Sequence, residues 1–225
     1  MKVIGIIPAY NEGEKALATA KACLEYVDYI ILVDDGSNKD IAQEESQNIT
    51  YLRHSINRGQ GAALRTGTTA ALNMGADIIV HLDADGQHDP AQIPELLKPL
   101  VDNEIDVVFG SRFMGIEPQG MPKSRRILLW CGRWFNTFAQ GIPRTVTDPQ
   151  SGFRAIRATI ADQINFKQDR MAHASEILRL VTRSNLKWQE VPVRVFYTEE
   201  SLKKGQKNLD ALKIAWQLFI GAFTR

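Results

Sequence analysis

The sequence predicts a single α/β domain over residues 1–225, a mostly parallel central sheet flanked by helices. Three observations predict it. Short β-branched runs read as strands buried on both faces, helical segments separate them, and acidic and glycine-rich residues follow each run at once. In chain order, Val3 to Ile7 is the first strand and residues 13–27 carry Ala and Leu at helical spacing. Residues 29–33 are the second strand, 61–74 the next helix and 77–82 the third strand. Asp89 then caps a helix over 90–102 that has Pro90 at its first position. A strand at 106–109 follows, and a Gly/Pro-rich loop from Gly110 to Pro122 leads into a basic, aromatic helix. In wound sheets of this kind ligands bind beyond the carboxyl ends of the strands, so the residues there are the candidate site.

Composition narrows the classes. With 27 Lys and Arg against 26 Asp and Glu, the net charge is +1, which excludes a chain-wide field for nucleic acid. Cys23 and Cys131 lack metal or redox spacing and read as reduced thiols in or near the core. The N-terminal apolar run is too short for a secretory signal, and no run approaches the ~20 apolar residues that span a bilayer. The expected location is the cytoplasm, with any membrane met from its cytoplasmic face. No Walker loop, zinc-protease helix or nucleophile elbow is present, and Leu64 stands where a dinucleotide fingerprint needs its third glycine.

Asp83-Ala84-Asp85-Gly86-Gln87 sets two carboxylates two residues apart where the chain leaves a strand. That costs free energy without a cation, and Mg²⁺ or Mn²⁺ takes such oxygen ligands; a solvated Asp-Gly turn is the plainer alternative. Gly86 stands fourth, not sixth, so the loop is no EF-hand. Asp34-Asp35-Gly36-Ser37 offers acceptors for a base or ribose, and Pro8-Ala9-Tyr10-Asn11-Glu12 a ring to stack on; each also reads as ordinary loop chemistry. Asn57 to Ala63 opens a helix whose amides and dipole would face an anion.

Together these segments, with Gly110-Ser111-Arg112, resemble in order and spacing the family-two inverting glycosyltransferases of the GT-A fold. The closest branch is that of dolichol-phosphate mannosyltransferases and polyprenyl-phosphate glycosyltransferases. Thr147-Asp148, Ser151 to Arg154 and Lys204-Gly205-Gln206 extend the likeness. The resemblance implies a nucleotide-sugar-binding half, 1–112, and an acceptor-side half, 113–225. It implies a UDP- or GDP-sugar donor held by Pro8, Ala9, Tyr10, Glu12, Val33, Asp34, Asp35, Gly59 and Ala84, with Mg²⁺ or Mn²⁺ on Asp83, Asp85 and Gln87. Arg112, with Arg154 or Lys204, would close around the phosphates. Asp85 and Arg112 are then catalytic. Gln60 departs from the lysine such proteins often carry, and the Gln-x-x-Arg-Trp motif of processive synthases is missing, so one sugar per encounter is expected.

For the acceptor, Glu176 is a candidate general base on an amphipathic helix from Ala174 to Arg183, where it reads equally as a solvated helix glutamate; His173 is left as open. Lys123 to Phe135 joins four cations to two tryptophans, the composition of an interfacial helix or of a core helix with basic ends. Leu209 to Phe223 is similarly apolar. Two such helices favour a lipid-linked acceptor such as a polyprenyl phosphate. The alternatives are a soluble glycan or protein hydroxyl activated by Glu176, a nucleotidyltransferase, disfavoured by the single glycine of the first loop, and a sugar-nucleotide-binding module without activity.

Overall fold

The structure is a computed structural model that describes residues 1–39, 41, 46–102, 104–115, 121 and 123–197. Its first half runs β1 (Val3–Ala9), α1 (Glu14–Cys23), β2 (Tyr29–Asp34), β3 (Ile49–Arg53), α2 (Gln60–Asn73) and β4 (Ile78–His81). A 3-10 turn at Pro90–Gln92 enters α3 (Ile93–Asp102), followed by β5 (Val107–Ser111) and α4 (Lys123–Gln140). Then come β6 (Arg154–Arg157), α5 (Ala158–Ala161), α6 (His173–Arg183) and β7 (Trp188–Pro192). Lys204 and the segment Leu209 to Phe223 lie outside the described residues.

The strands form one sheet in the order β3-β2-β1-β4-β6-β5-β7. All are parallel except β6, which runs against β4 and β5. The predicted α/β architecture is therefore present, with one reversed strand. Every residue of β1 and β4 is buried, because helices cover both faces. On one face Leu17, Ala20, Leu96 and Leu100 of α1 and α3 pack against Ile7, Leu32 and Val80. On the other, Ala63 and Leu64 of α2 and Ile177, Leu178 and Val181 of α6 pack against Ile4, Ile6, Val33 and Ile79. Each such fully buried aliphatic side chain contributes roughly 1.5–3 kcal/mol. At Gly67, α2 lies so close to β1 that a Cβ would meet Ile6 Cγ2 at 2.3 Å.

The predicted elements recur with shifted ends, and three strands are additional. β3 is an edge strand with only half-buried inner residues, β6 begins and ends on arginine, and β7 carries Gln189 and Glu190 side by side. None of these has the continuous apolar run of a central strand, and β7, Trp-Gln-Glu-Val-Pro, has no strict alternation either. Cys23 is a buried free thiol whose pKa burial pushes up to about 12; the Cys131 side chain lies outside the described residues.

Candidate active site

The carboxyl ends of β1, β2, β4 and β5 share one edge of the sheet. Because β6 is reversed, its first residues reach that edge too. His81 pairs with Arg154 across β4 and β6, so Gly152 comes up beside Asp83.

Asp83 and Asp85 point outward because Ala84 between them is small and sinks into the core. Gln60 Nε2 donates to Asp83 Oδ1 at 2.5 Å, and His88 Nε2 stands 3.9 Å from Oδ2. A Cβ on Gly152 would lie 2.6 Å from Asp83 Oδ2, so only glycine leaves this carboxylate its place. Asp85 Oδ1 accepts the Gln87 amide at 3.0 Å. Burial raises both carboxyls above the usual carboxylate range. For Asp83, Arg154, Arg112 and the Gln60 hydrogen bond oppose the rise; for Asp85, the Asp83 charge adds to it, and Glu12 from the first loop adds a little more. Two half-buried carboxylates two residues apart, the charge of one raising the other, form a place for a cation. Their oxygens and the Gln87 side-chain carbonyl suit Mg²⁺ or Mn²⁺, and no cluster of three or more His, Cys, Asp or Glu among the described residues offers a full protein cage. The donor set fits an ion that takes its remaining ligands from phosphate and water.

The turn after β2 is built differently from expectation. Asp34 Oδ1 accepts from the Ser37 amide and hydroxyl, at 2.9 and 2.5 Å, and its Oδ2 pairs with Arg53 at 3.3 Å. Asp35 accepts from the amides of Arg58 and Gly59, at 3.0 and 2.6 Å, and His54 Nδ1 lies 2.7 Å from Oδ1. The amides of Gly61 and Ala62 donate to the carbonyl of Asp169 at 2.8 and 3.3 Å. The glycine-rich opening of α2, expected to face an external anion, is thus occupied from within, by a carboxylate and a carbonyl. Gly59 takes φ +112° there, a conformation that favours glycine.

Tyr10 is 45% exposed at the end of β1. Pro8, Ala9, Val33 and Ala84, expected to contact the donor, instead turn their side chains inward and offer the edge only main chain, since both helical layers cover the strand ends. Arg112 is buried rather than on a rim. Its Nε donates to Asp148 Oδ2 at 2.6 Å and its Nη1 to the Tyr197 hydroxyl at 3.0 Å; burial lowers its pKa, but Asp148 and Tyr197 more than restore it, holding it above the ordinary value. Arg154 is wholly buried beneath Asp83, not where a clasp would close. Glu176 Oε2 accepts the amides of Lys167 and Gln168 at 2.9 and 2.8 Å, which makes it a fastener of the 167–170 loop and not the free base that a hydroxyl acceptor requires. His173 Nδ1 sits 2.9 Å from the Arg170 carbonyl, and burial and then Arg154 lower its pKa to about 4.

Residues 6–164 match the family described as Glycosyl transferase family 2. The chain belongs to that family. It is a glycosyltransferase of GT-A fold, and its relatives fall in the dolichyl- and polyprenyl-phosphate branch. It is 34% identical to the UDP-N-acetylglucosamine–dolichyl-phosphate N-acetylglucosaminyltransferase of Methanococcus voltae over 96% of this chain and 94% of that one. Against the undecaprenyl-phosphate mannosyltransferase of Micrococcus luteus it is 33% identical over 70% of this chain and 67% of that protein. Among solved structures, glucosyl-3-phosphoglycerate synthase from Mycobacterium tuberculosis, in complex with Mn²⁺, UDP-glucose and glycerol 3-phosphate, superposes with a TM-score of 0.69 at 18% identity, covering 98% of this chain and 79% of that one.

Sequence reasoning missed part of what positions this glycosyltransferase's site. Glu190 of β7 accepts the amides of Thr147 and Asp148 and so holds the loop that holds Arg112. One signal was legible: a carboxylate within an otherwise uncharged strand. His54 and the Asp169 carbonyl act through loop geometry that no motif announces.

Proposed function

We propose that this glycosyltransferase transfers one sugar, with inversion, from a nucleoside diphosphate sugar to a polyprenyl or dolichyl phosphate at a membrane surface. The observation that carries the proposal is the pair Asp83 and Asp85, two carboxylates beside Gln60, Gln87 and Gly152 on the ligand-binding edge of the sheet. Uridine is the favoured base, supported by the relative in Methanococcus voltae, whose name specifies a UDP-sugar.

In this reading Tyr10 offers its ring to the base, and Asp34 with Ser37 braces the turn beneath the nucleoside. Asp83, Asp85 and Gln87 hold Mg²⁺ or Mn²⁺, which when bound supplies Lewis-acid stabilisation of the departing diphosphate. An oxygen of the acceptor phosphate attacks the anomeric carbon as the bond from that carbon to the diphosphate oxygen breaks on the opposite face. The nucleoside diphosphate leaves with the electron pair. A phosphate monoester is already ionised, so the reaction needs no general base, in keeping with Glu176 being engaged by backbone amides.

The lipid half is supported by α4. Ile127, Trp130, Trp134 and Phe138 are 63, 59, 40 and 68% exposed, and the three rings follow one another along the helix, Trp130 edge-on to Trp134 at 5.7 Å and Trp134 stacked on Phe138 at 5.2 Å. Arg144 lies over Trp134 and Phe138. An exposed aromatic stripe with cations suits the boundary of an anionic bilayer. No helix among the described residues is long and apolar enough to cross a membrane.

Calorimetric titration with UDP and GDP, each with and without Mn²⁺, tests the donor half. Metal-dependent binding of one nucleotide, lost in Asp85→Asn, is the expected result; folded protein that binds neither nucleotide rejects the donor site.

A further inference from the structure

Arg154 is the one arginine with no exposed surface among the described residues, and neither of its terminal nitrogens has a hydrogen-bond partner there. Its Nε reaches the Gly152 carbonyl only at 3.4 Å. The groups around it are not counter-anions. His81, directly opposite on β4, and His173 of α6 are imidazoles rather than carboxylates, and burial disfavours the charged form of both. Opposed residues on antiparallel strands share a face, and two residues past His81, just beyond the end of β4, stands Asp83, whose carboxylate packs on Gly152. Burial lowers the guanidinium to about 10, opposed by Asp83, which leaves it charged at neutral pH. The chain thus keeps a buried, otherwise unanswered cation behind one of its two outward carboxylates. That carboxylate is still 30% exposed at its mouth.

We propose that Arg154 is a resident counter-cation of Asp83, a positioning residue that weakens capture of a free divalent cation and favours its arrival with the diphosphate. The proposal rests on the donor-site reading above. Charge decides its sign: a fixed positive charge behind the site repels Mn²⁺ and attracts the phosphates, so removing it moves the two affinities in opposite directions. A residue that merely props the fold would loosen both. Arg112 also bears on Asp83, but its guanidinium is held by Asp148, whereas the terminal nitrogens of Arg154 have no hydrogen-bond partner.

The test compares wild type with Arg154→Met, which keeps the length and removes the charge, and Arg154→Lys, which keeps the charge. Mn²⁺ binding is followed by electron paramagnetic resonance without nucleotide, and UDP or GDP binding by calorimetry in EDTA. Arg154→Met should bind Mn²⁺ about tenfold more tightly and nucleotide about tenfold more weakly, with Arg154→Lys close to wild type. Changes in one direction for both ligands, or none, overturn the proposal. Should Arg154→Met not fold, Arg154→Gln takes its place in both titrations under the same criteria, and wild type that binds Mn²⁺ alone as tightly as with saturating nucleotide overturns the proposal outright. Wild type that binds neither nucleotide, with or without Mn²⁺, fails the donor-site reading instead, and the proposal with it.

Discussion

Asp148 and Arg112 form a buried pair, and their chemistry sets a definite expectation. Removing one partner leaves an uncompensated charge in the interior, which costs about 3–5 kcal/mol. Asp148→Asn should therefore lower the unfolding free energy by that order in urea titrations, while a loss under 1 kcal/mol would deny the pair its anchoring role. His173 makes a second expectation. Its folded pKa of about 4 lies below the ordinary histidine value of 6.5, so the unfolded chain binds more protons between those limits and stability falls as pH drops through them. The loss attributable to this residue from pH 7 to pH 5 is on the order of 2 kcal/mol, and His173→Gln should flatten the profile in thermal melts over that range. An unchanged slope would place the acid sensitivity elsewhere. At this scale the sequence was informative about side chains that meet a ligand and silent about those that meet each other. Asp83 and Asp85 announce themselves by spacing, whereas the use of Asp35 to hold the Arg58 and Gly59 amides depends on how two distant loops cross.

Among the elements, the central strands were legible because β1, β2 and β4 are nearly continuous apolar runs. β6 was not, although it brings Gly152 and Arg154 to the site: a four-residue strand bounded by arginines carries no periodic signal, and its antiparallel pairing is a property of the sheet alone. Helix α4 was read in advance as interfacial or core. Its exposed rings favour the former, and the expectation is specific. Replacing Trp130 and Phe138 together with glutamine should reduce sedimentation with vesicles containing phosphatidylglycerol by about tenfold, without changing nucleotide affinity. Equal binding of both proteins to such vesicles would remove α4 from the lipid contact.

For the molecule as a whole, topology explains why a site dispersed from Tyr10 to Arg154 converges. Parallel strands deliver their carboxyl ends to one edge, and the reversed β6 delivers its amino end there as well. The order and spacing of the motifs identified the family, which the match over residues 6–164 bears out. The acceptor was less legible, since it depends on surfaces whose ligand lies outside the chain. The most direct measurement is transfer itself: UDP- or GDP-linked radiolabelled sugar, incubated with the purified protein, Mn²⁺ and polyprenyl phosphate in detergent, followed by organic extraction. One donor should place label in the lipid phase as an anomerically inverted glycosyl phosphate, and a folded Asp85→Asn protein should place none. Normal transfer by Asp85→Asn, or no lipid-linked label from any donor with folded wild type, would contradict the account.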